Sequence, residues 1–141
     1  MYHHAPNSAL IKATADLTAI AFFFLLRVGE YTMPRRAVHT RTVQFRVQDT
    51  TFRNADGLVL PNASPLDVLL QADSVTLWMD NQKNGQRGAT IHHTACPGWF
   101  CPVKALARRV SNILSQGSYL NDQPNGRPYK FGFRNGWCAA P

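Results

Sequence analysis

The chain has 141 residues, 45% of them hydrophobic, which predicts one globular domain with a real core and excludes wholesale disorder. Fifteen lysines and arginines against eight acidic residues give a formal net charge of +7, which favours a polyanionic partner, with nucleic acid ahead of a membrane surface. The longest apolar run is too short to span a bilayer, no signal-peptide pattern is present, and three cysteines do not indicate a disulfide framework. We therefore expect an intracellular protein.

The most apolar part of the chain lies close to its beginning, around the stretch 22–30. Every residue from 19 to 26 is apolar, which predicts a helix that is buried all round in the middle of the domain. Asn7 or Ser8 is a candidate N-cap for a helix that runs to about Tyr31, and two shorter helices are the alternative.

Three later segments predict a small antiparallel sheet. Alternation of apolar and polar residues indicates strands over 42–53 and 74–79, and a third strand over 89–93 follows the hairpin signal Asn84-Gly85. The segment 58–73 is ambiguous and contains at most a short turn of helix, at 66–70.

A second amphipathic helix is predicted after the sheet. Pro102 suits its first turn and Gly117 suits the position just past its end, while Lys104 and Arg108 lie opposite the apolar face. The predicted class is α+β, a mostly helical domain with a small three-stranded antiparallel sheet. We expect this domain to cover residues 1–117, with an irregular tail over 118–141.

Arg27 and Glu30 follow the apolar stretch without a polar transition. On a helix, residues at i and i+3 share a face and can form an ion pair. An internal ion pair, or an arginine reaching solvent from a helix end, is one interpretation. The alternative is that Glu30 orients Arg27 while its guanidinium binds two oxygens of a phosphate.

Two other groups of residues are candidates for chemistry. Lys83 lies in the predicted hairpin loop, where it is either solvated or positioned to protonate a leaving group. The cluster of His92 or His93 with Cys96 and Cys101 contains metal-ligand types, but its spacing does not match a zinc knuckle. Plain thiols are the other interpretation of the two cysteines.

The order of these features resembles that of the tyrosine recombinase (phage integrase) family, most of all the recombinases of eukaryotic mobile elements. The resemblance covers about residues 16–116 and comprises the Leu-Leu-Arg-Val-Gly-Glu helix end, a strand, the Gln-Lys-Asn-Gly-Gln-Arg-Gly hairpin and the helix opening Cys-Pro-Val-Lys-Ala-Leu. It implies that Arg27 and Lys83 are catalytic, that Glu30 supports Arg27, and that Asp49 is the nearest match to an aspartate of the family.

The resemblance implies DNA strand breakage and rejoining, with double-stranded DNA as partner and without a metal or nucleotide cofactor. In the family a tyrosine attacks a backbone phosphate, arginines hold the phosphoryl oxygens and the lysine protonates the departing 5′-oxygen. This chain has no His-x-x-Arg motif and no tyrosine that follows one. We therefore expect a front half of a catalytic domain that does not cleave DNA alone and that associates with other recombinase protomers or a missing C-terminal half.

Outside the catalytic residues, five basic side chains are candidates for sequence-independent phosphate contacts. They are Arg35, Arg36, Arg41, Lys104 and Arg108. Two alternatives remain: a zinc-stabilised, non-catalytic binding module that uses His92, Cys96 and Cys101, and a degenerate mobile-element remnant without activity. No membrane association is expected, and the location is nuclear if the source is eukaryotic.

Overall fold

The computed structural model describes residues 8–27, 45–79 and 88–115 of the chain. Within these ranges there are three α-helices, four β-strands and one short 3-10 helix. In chain order they are α1 (Ser8–Phe23), the 3-10 helix (Val47–Asp49), β1 (Thr50–Arg53), β2 (Val59–Leu60), α2 (Leu66–Leu70), β3 (Ser74–Met79), β4 (Ala89–Thr94) and α3 (Pro102–Ser115). Helices together with a small antiparallel sheet confirm the predicted α+β class. The predicted tail over 118–141 lies outside the described residues.

The sheet has four antiparallel strands in the order β2-β1-β3-β4, so the predicted number of three is wrong. β3 occupies an inner position, and its residues Val75, Leu77 and Met79 all face the core, as their alternation predicts. β4 pairs with β3 along its whole length, from Ala89 opposite Met79 to Thr94 opposite Ser74. The strands predicted over 74–79 and 89–93 are therefore confirmed.

The additional strand β2 returns the chain along β1 through a tight turn. The Asn54 side-chain oxygen accepts hydrogen bonds from the backbone N–H groups of Asp56 and Leu58, at 3.0 and 2.9 Å. Gly57 has a φ of 78°, a left-handed conformation that glycine adopts without a steric penalty. β2 is only two residues long and Val59 is exposed, so no alternation of apolar and polar residues marks it in the sequence.

The strand predicted over 42–53 is also shorter than expected, since β1 begins only at Thr50. Before it, Asp49 accepts a hydrogen bond from the Arg46 backbone N–H at 2.8 Å and pairs with the Arg46 guanidinium at 2.8 Å. These bonds stabilise a turn of 3-10 helix over Val47–Asp49 in place of extended chain. The alternating residues Phe45, Val47 and Phe52 are all buried, although only Phe52 lies in a strand.

Helix α3 forms the centre of the core. It begins at Pro102, as predicted, and contacts α1, α2, β3 and β4. Its buried residues are Pro102, Val103, Ala105, Leu106, Ala107, Val110 and Ile113. The short turn of helix that the sequence allows over 66–70 is present as α2, which places Leu69 in the same core. The most central helix is therefore the amphipathic α3, not the apolar α1.

Helix α1 ends at Phe23, so the prediction that it continues to about Tyr31 is wrong. Leu26 N–H donates to the Ala21 carbonyl at 3.0 Å and Leu25 N–H donates to the Phe22 carbonyl at 3.4 Å, the pair of bonds that defines a Schellman C-cap. Leu25 adopts the left-handed conformation that this cap requires, with a φ of 53°. The prediction that α1 is buried all round is also wrong, because Phe22 is 65% exposed.

The leucine in this left-handed position gives a first testable prediction. Leu25→Gly is expected to raise the free energy of unfolding by about 0.5–1 kcal/mol, because glycine has no Cβ to resist a positive φ. Little burial is lost, since Leu25 is 83% exposed. Urea unfolding measures the change, with Ile11→Gly in the interior of α1 as the control that should be destabilising. A loss of stability in both variants would contradict the C-cap assignment.

Candidate functional site

The C-terminal end of α1 lies directly against the β3–β4 pair. The Phe23 carbonyl accepts a hydrogen bond from His93 Nε2 at 2.8 Å, across 70 residues of sequence. The Phe24 ring meets the His93 ring edge-on, with centroids 4.8 Å apart, and Phe24 is fully buried. Because a carbonyl can only accept, His93 carries a proton on Nε2 and satisfies a helix-end carbonyl. This contact fixes where the chain segment containing Arg27 begins.

Arg27 lies four residues beyond the last residue of α1, and it is exposed. The prediction of a guanidinium at the end of a buried helix is therefore wrong, and the predicted pairing of Arg27 with Glu30 stays a prediction. Glu30 and Lys83 lie outside the described residues. His93 is four residues from the hairpin end of β4, a distance of about 13 Å at the usual strand rise. The end of α1 therefore contacts β4 away from its hairpin end, and Arg27 follows this contact by four residues.

Of the predicted phosphate-binding residues, Arg35, Arg36 and Arg41 lie outside the described ranges, and Lys104 and Arg108 are on α3. Lys104 Nζ donates to the Gly98 carbonyl at 3.3 Å. Arg108 binds the buried Asp16 of α1 through both Nε and Nη2, with Nε 2.9 Å from Oδ1. The Arg108 guanidinium, which the sequence places on a solvated face, thus forms an ion pair that joins α3 to α1.

Asp16 also influences the neighbouring arginine. Burial lowers the pKa of Arg109, and the negative charge of Asp16 acts in the opposite direction. One carboxylate of α1 therefore binds Arg108 and favours the charged form of Arg109. Nothing in the sequence indicates that Asp16 faces a residue 92 positions away.

Asp49, the nearest match to an aspartate of the recombinase family, is buried and pairs with Arg46. Its two oxygens accept from the Arg46 backbone N–H, from Nε and from Nη2. Beside this turn, the Asn62 side-chain amide donates to the Val47 and Thr50 carbonyls at 2.9 and 3.0 Å. This group of residues orders the entry into β1.

The residues of the alternative zinc site do not form a cluster. His92 and His93 are successive residues of β4, so their side chains point to opposite faces of the sheet. His92 Nδ1 is 3.1 Å from Thr76 Oγ1, whereas His93 contacts the end of α1. Within the described ranges, no group of three His, Cys, Asp or Glu side chains is arranged to hold a metal ion. The predicted ligand set therefore lacks a shared centre.

Cys96 and Cys101 are close together at the start of α3. The Cys96 backbone N–H donates to Cys101 Sγ at 3.3 Å, and the Cys96 thiol donates to the Phe100 carbonyl at 3.7 Å. Burial raises the pKa of the Cys96 thiol, and the neighbouring Cys101 side chain raises it further. Burial also raises the pKa of Cys101. Hydrogen bonds from backbone N–H groups outweigh this effect and hold the pKa below its ordinary value; the strongest is from Cys96, and Lys104 and Val103 contribute as well.

A polar cluster that the sequence analysis did not single out lies on the face of the sheet opposite the core. Arg53 Nη1 donates to Thr76 Oγ1 at 3.1 Å, and Thr76 contacts His92. These contacts link the neighbouring strands β1, β3 and β4. Trp78 lies on the same face of β3 and is 46% exposed. In the sequence, strand alternation places these residues away from the core. It does not indicate which of them become neighbours.

An aromatic cluster extends from the end of α1 to the segment before α3. The Phe22 and Phe100 ring centroids are 6.0 Å apart, and those of Trp99 and Phe100 are 5.5 Å apart. Phe22 and Trp99 are 65% and 71% exposed, a large apolar contribution to the surface at this end of the domain.

The chain matches no protein-family model, no curated protein and no solved structure. No helix in the described ranges has both the length and the apolar character needed to cross a membrane. The fold and the side-chain arrangement are therefore the basis for assigning a function.

Proposed function

We propose that this chain binds double-stranded DNA as the front half of a tyrosine recombinase-like catalytic domain, and that it does not cleave DNA alone. The carrying observation is the contact between the end of α1 and β4, through Phe23 and His93. Phe23 thereby lies against the strand pair whose connection, 80–87, contains Lys83, and Arg27 follows Phe23 by four residues. In the proposed site the guanidinium binds phosphate oxygens and the lysine lies beside the scissile linkage.

The distribution of charge supports a polyanionic partner. The described ranges contain seven lysines and arginines and five aspartates, so most of the excess of +7 belongs to the remaining segments. Those segments include Arg35, Arg36 and Arg41, which we propose make sequence-independent phosphate contacts. Lys104 has a similar proposed role. Arg108 is a weaker candidate, because its guanidinium is already held by Asp16.

A partner that supplies the missing catalytic groups is part of the proposal. The exposed Phe22 and Trp99 provide apolar surface for a C-terminal half or for a second recombinase protomer. We propose an intracellular location, nuclear in a eukaryotic source.

A salt titration of binding to duplex DNA tests the proposal. Affinity should fall steeply with salt, and Arg27→Gln should reduce the slope by about 0.9 and weaken binding several-fold. Lys83→Gln should have a similar effect. Arg53→Gln is the matched control, since it removes one positive charge from the face of the sheet opposite the end of α1. Thermal melts of all variants confirm that each remains folded.

The outcome of this comparison separates the alternatives. If Arg53→Gln weakens binding and Arg27→Gln does not, the DNA lies on the open face of the sheet and the recombinase-like site is wrong. If affinity is independent of salt and the melt is not cooperative, the degenerate-remnant interpretation is favoured.

The absence of cleavage is tested separately. A nicked suicide duplex, which traps a covalent protein–DNA linkage, should give no adduct with this chain, because the sequence lacks the His-x-x-Arg motif and its following tyrosine. Denaturing electrophoresis detects such an adduct, and a complete recombinase serves as the positive control. An adduct that maps to a tyrosine of this chain would contradict the proposed inactivity.

A further inference from the structure

The pair Cys96 and Cys101 has a geometry that the proposed DNA-binding function does not use. The segment between the two residues turns at Gly98, whose φ of 92° suits glycine, and returns the chain so that Cys101 Sγ lies 3.3 Å from the Cys96 backbone nitrogen. Because the Cys101 sulfur already lies against the Cys96 backbone, a bond between the two sulfurs requires mainly a rotation of the side chains.

The surroundings of the two thiols differ. Cys101 is fully buried, while Cys96 is partly accessible, with its Sγ 3.7 Å from the Phe100 carbonyl. Cys101 also precedes the first residue of α3, and its carbonyl accepts the first helical hydrogen bond, from Ala105 at 2.9 Å. An oxidant from solvent thus meets Cys96 first, and Cys101 is held behind it by the helix start.

We propose that Cys96 and Cys101 form a reversible disulfide when the protein meets a peroxide oxidant. The Cys96 sulfur attacks one oxygen of hydrogen peroxide, one water leaves, and Cys96 becomes a sulfenic acid. The Cys101 thiolate then attacks the Cys96 sulfur, and the hydroxyl leaves with a proton as a second water. Two thiols lose two electrons in total and the peroxide is reduced to two waters; a dithiol reductant reverses the reaction.

The disulfide would connect the end of β4 to the start of α3. It would close the segment that contains Trp99 and Phe100, whose rings contact each other and, through Phe100, the end of α1. Oxidation is therefore expected to restrict this segment and to leave the sheet and the rest of α3 unchanged.

The experiment uses the full chain carrying Cys138→Ser, which leaves only the two cysteines of the pair. After treatment with equimolar hydrogen peroxide, the tryptic peptide 88–104, which contains both cysteines, should lose about 2 Da and recover its mass in dithiothreitol. The same treatment in urea should be about ten-fold slower, because the unfolded chain does not hold the thiols together.

Two single variants identify the role of each cysteine. In Cys101→Ser, which keeps a side-chain acceptor at the helix start, Cys96 should accumulate as a sulfenic acid that dimedone traps. In Cys96→Ser, the buried Cys101 should stay reduced over the same time. Circular dichroism and thermal melts verify that both variants fold.

Three results would overturn the proposal. One is accumulation of sulfinic acid on Cys96 with Cys101 still reduced in the Cys138→Ser protein. Another is an equal rate of oxidation in native buffer and in urea. The third is preferential linkage of either cysteine to Cys138 in the unsubstituted chain.

Discussion

Replacing Phe24 by alanine is expected to lower the free energy of unfolding by about 4 kcal/mol, the range found when a buried phenylalanine is truncated. Phe24 is fully buried one residue past the end of α1, and its ring meets His93 edge-on at 4.8 Å. Removing the ring leaves a cavity between the helix end, the sheet and the core. Urea unfolding followed by circular dichroism gives the free energy directly.

Phe22→Ala provides a control of the same chemistry, two residues away. Phe22 is 65% exposed and contacts Phe23 and Phe100 only through ring edges and tilted rings, so the loss should be about 1 kcal/mol or less. Equal losses in the two variants would contradict the different burial of the two rings.

Asp16→Asn is expected to lower the free energy of unfolding by about 2 kcal/mol. The substitution keeps the shape of the side chain and removes the negative charge that binds Arg108. Breaking a buried pair costs about 3–5 kcal/mol, and the expected value is smaller because the Arg108 side chain is 34% exposed and partly screened by water. The pKa of Arg109 should fall further, since the Asp16 charge that raises it is removed.

A double-mutant cycle measures this ion pair. The double variant Asp16→Asn/Arg108→Gln should lose about 1–2 kcal/mol less free energy of unfolding than the sum of the two single losses. The reason is that each single variant already removes the interaction. Asp56→Asn, in the exposed turn before β2, is the control and should change stability by less than about 0.5 kcal/mol. Additive effects of Asp16→Asn and Arg108→Gln would contradict a direct pairing.

The elements that could be predicted are those with local signals in the sequence. α3 combines a proline at its first position with a continuous apolar face, and it begins at Pro102 as expected. β3 shows alternation over six residues, and all three apolar positions that the pattern selects are buried. In both cases the period of the pattern matches the period of the structure, so the burial of each residue follows from its position.

The candidate site was less predictable, since its members are brought together by packing. The sequence predicts Arg27 at the end of a buried helix, but α1 ends at Phe23, and Phe24 enters the core. Arg27 therefore does not lie on α1. Arg108 has the position of a solvated cation on α3, and only the packing of α1 brings Asp16 to it. The catalytic assignment of Arg27 and Lys83 remains a prediction for the DNA titration.

The amino-acid sequence by itself determined the α+β class, the basic charge, the β3–β4 pair and the buried face of α3, because composition, alternation and helical period are local properties of the chain. Only the tertiary structure decided where α1 ends, which carboxylate binds Arg108, and that Cys96 lies beside Cys101. The end of α1 depends on Phe24 reaching His93, 69 positions later in the sequence. No local pattern contains such a contact, since its energy exists only when both segments are already packed against the same core.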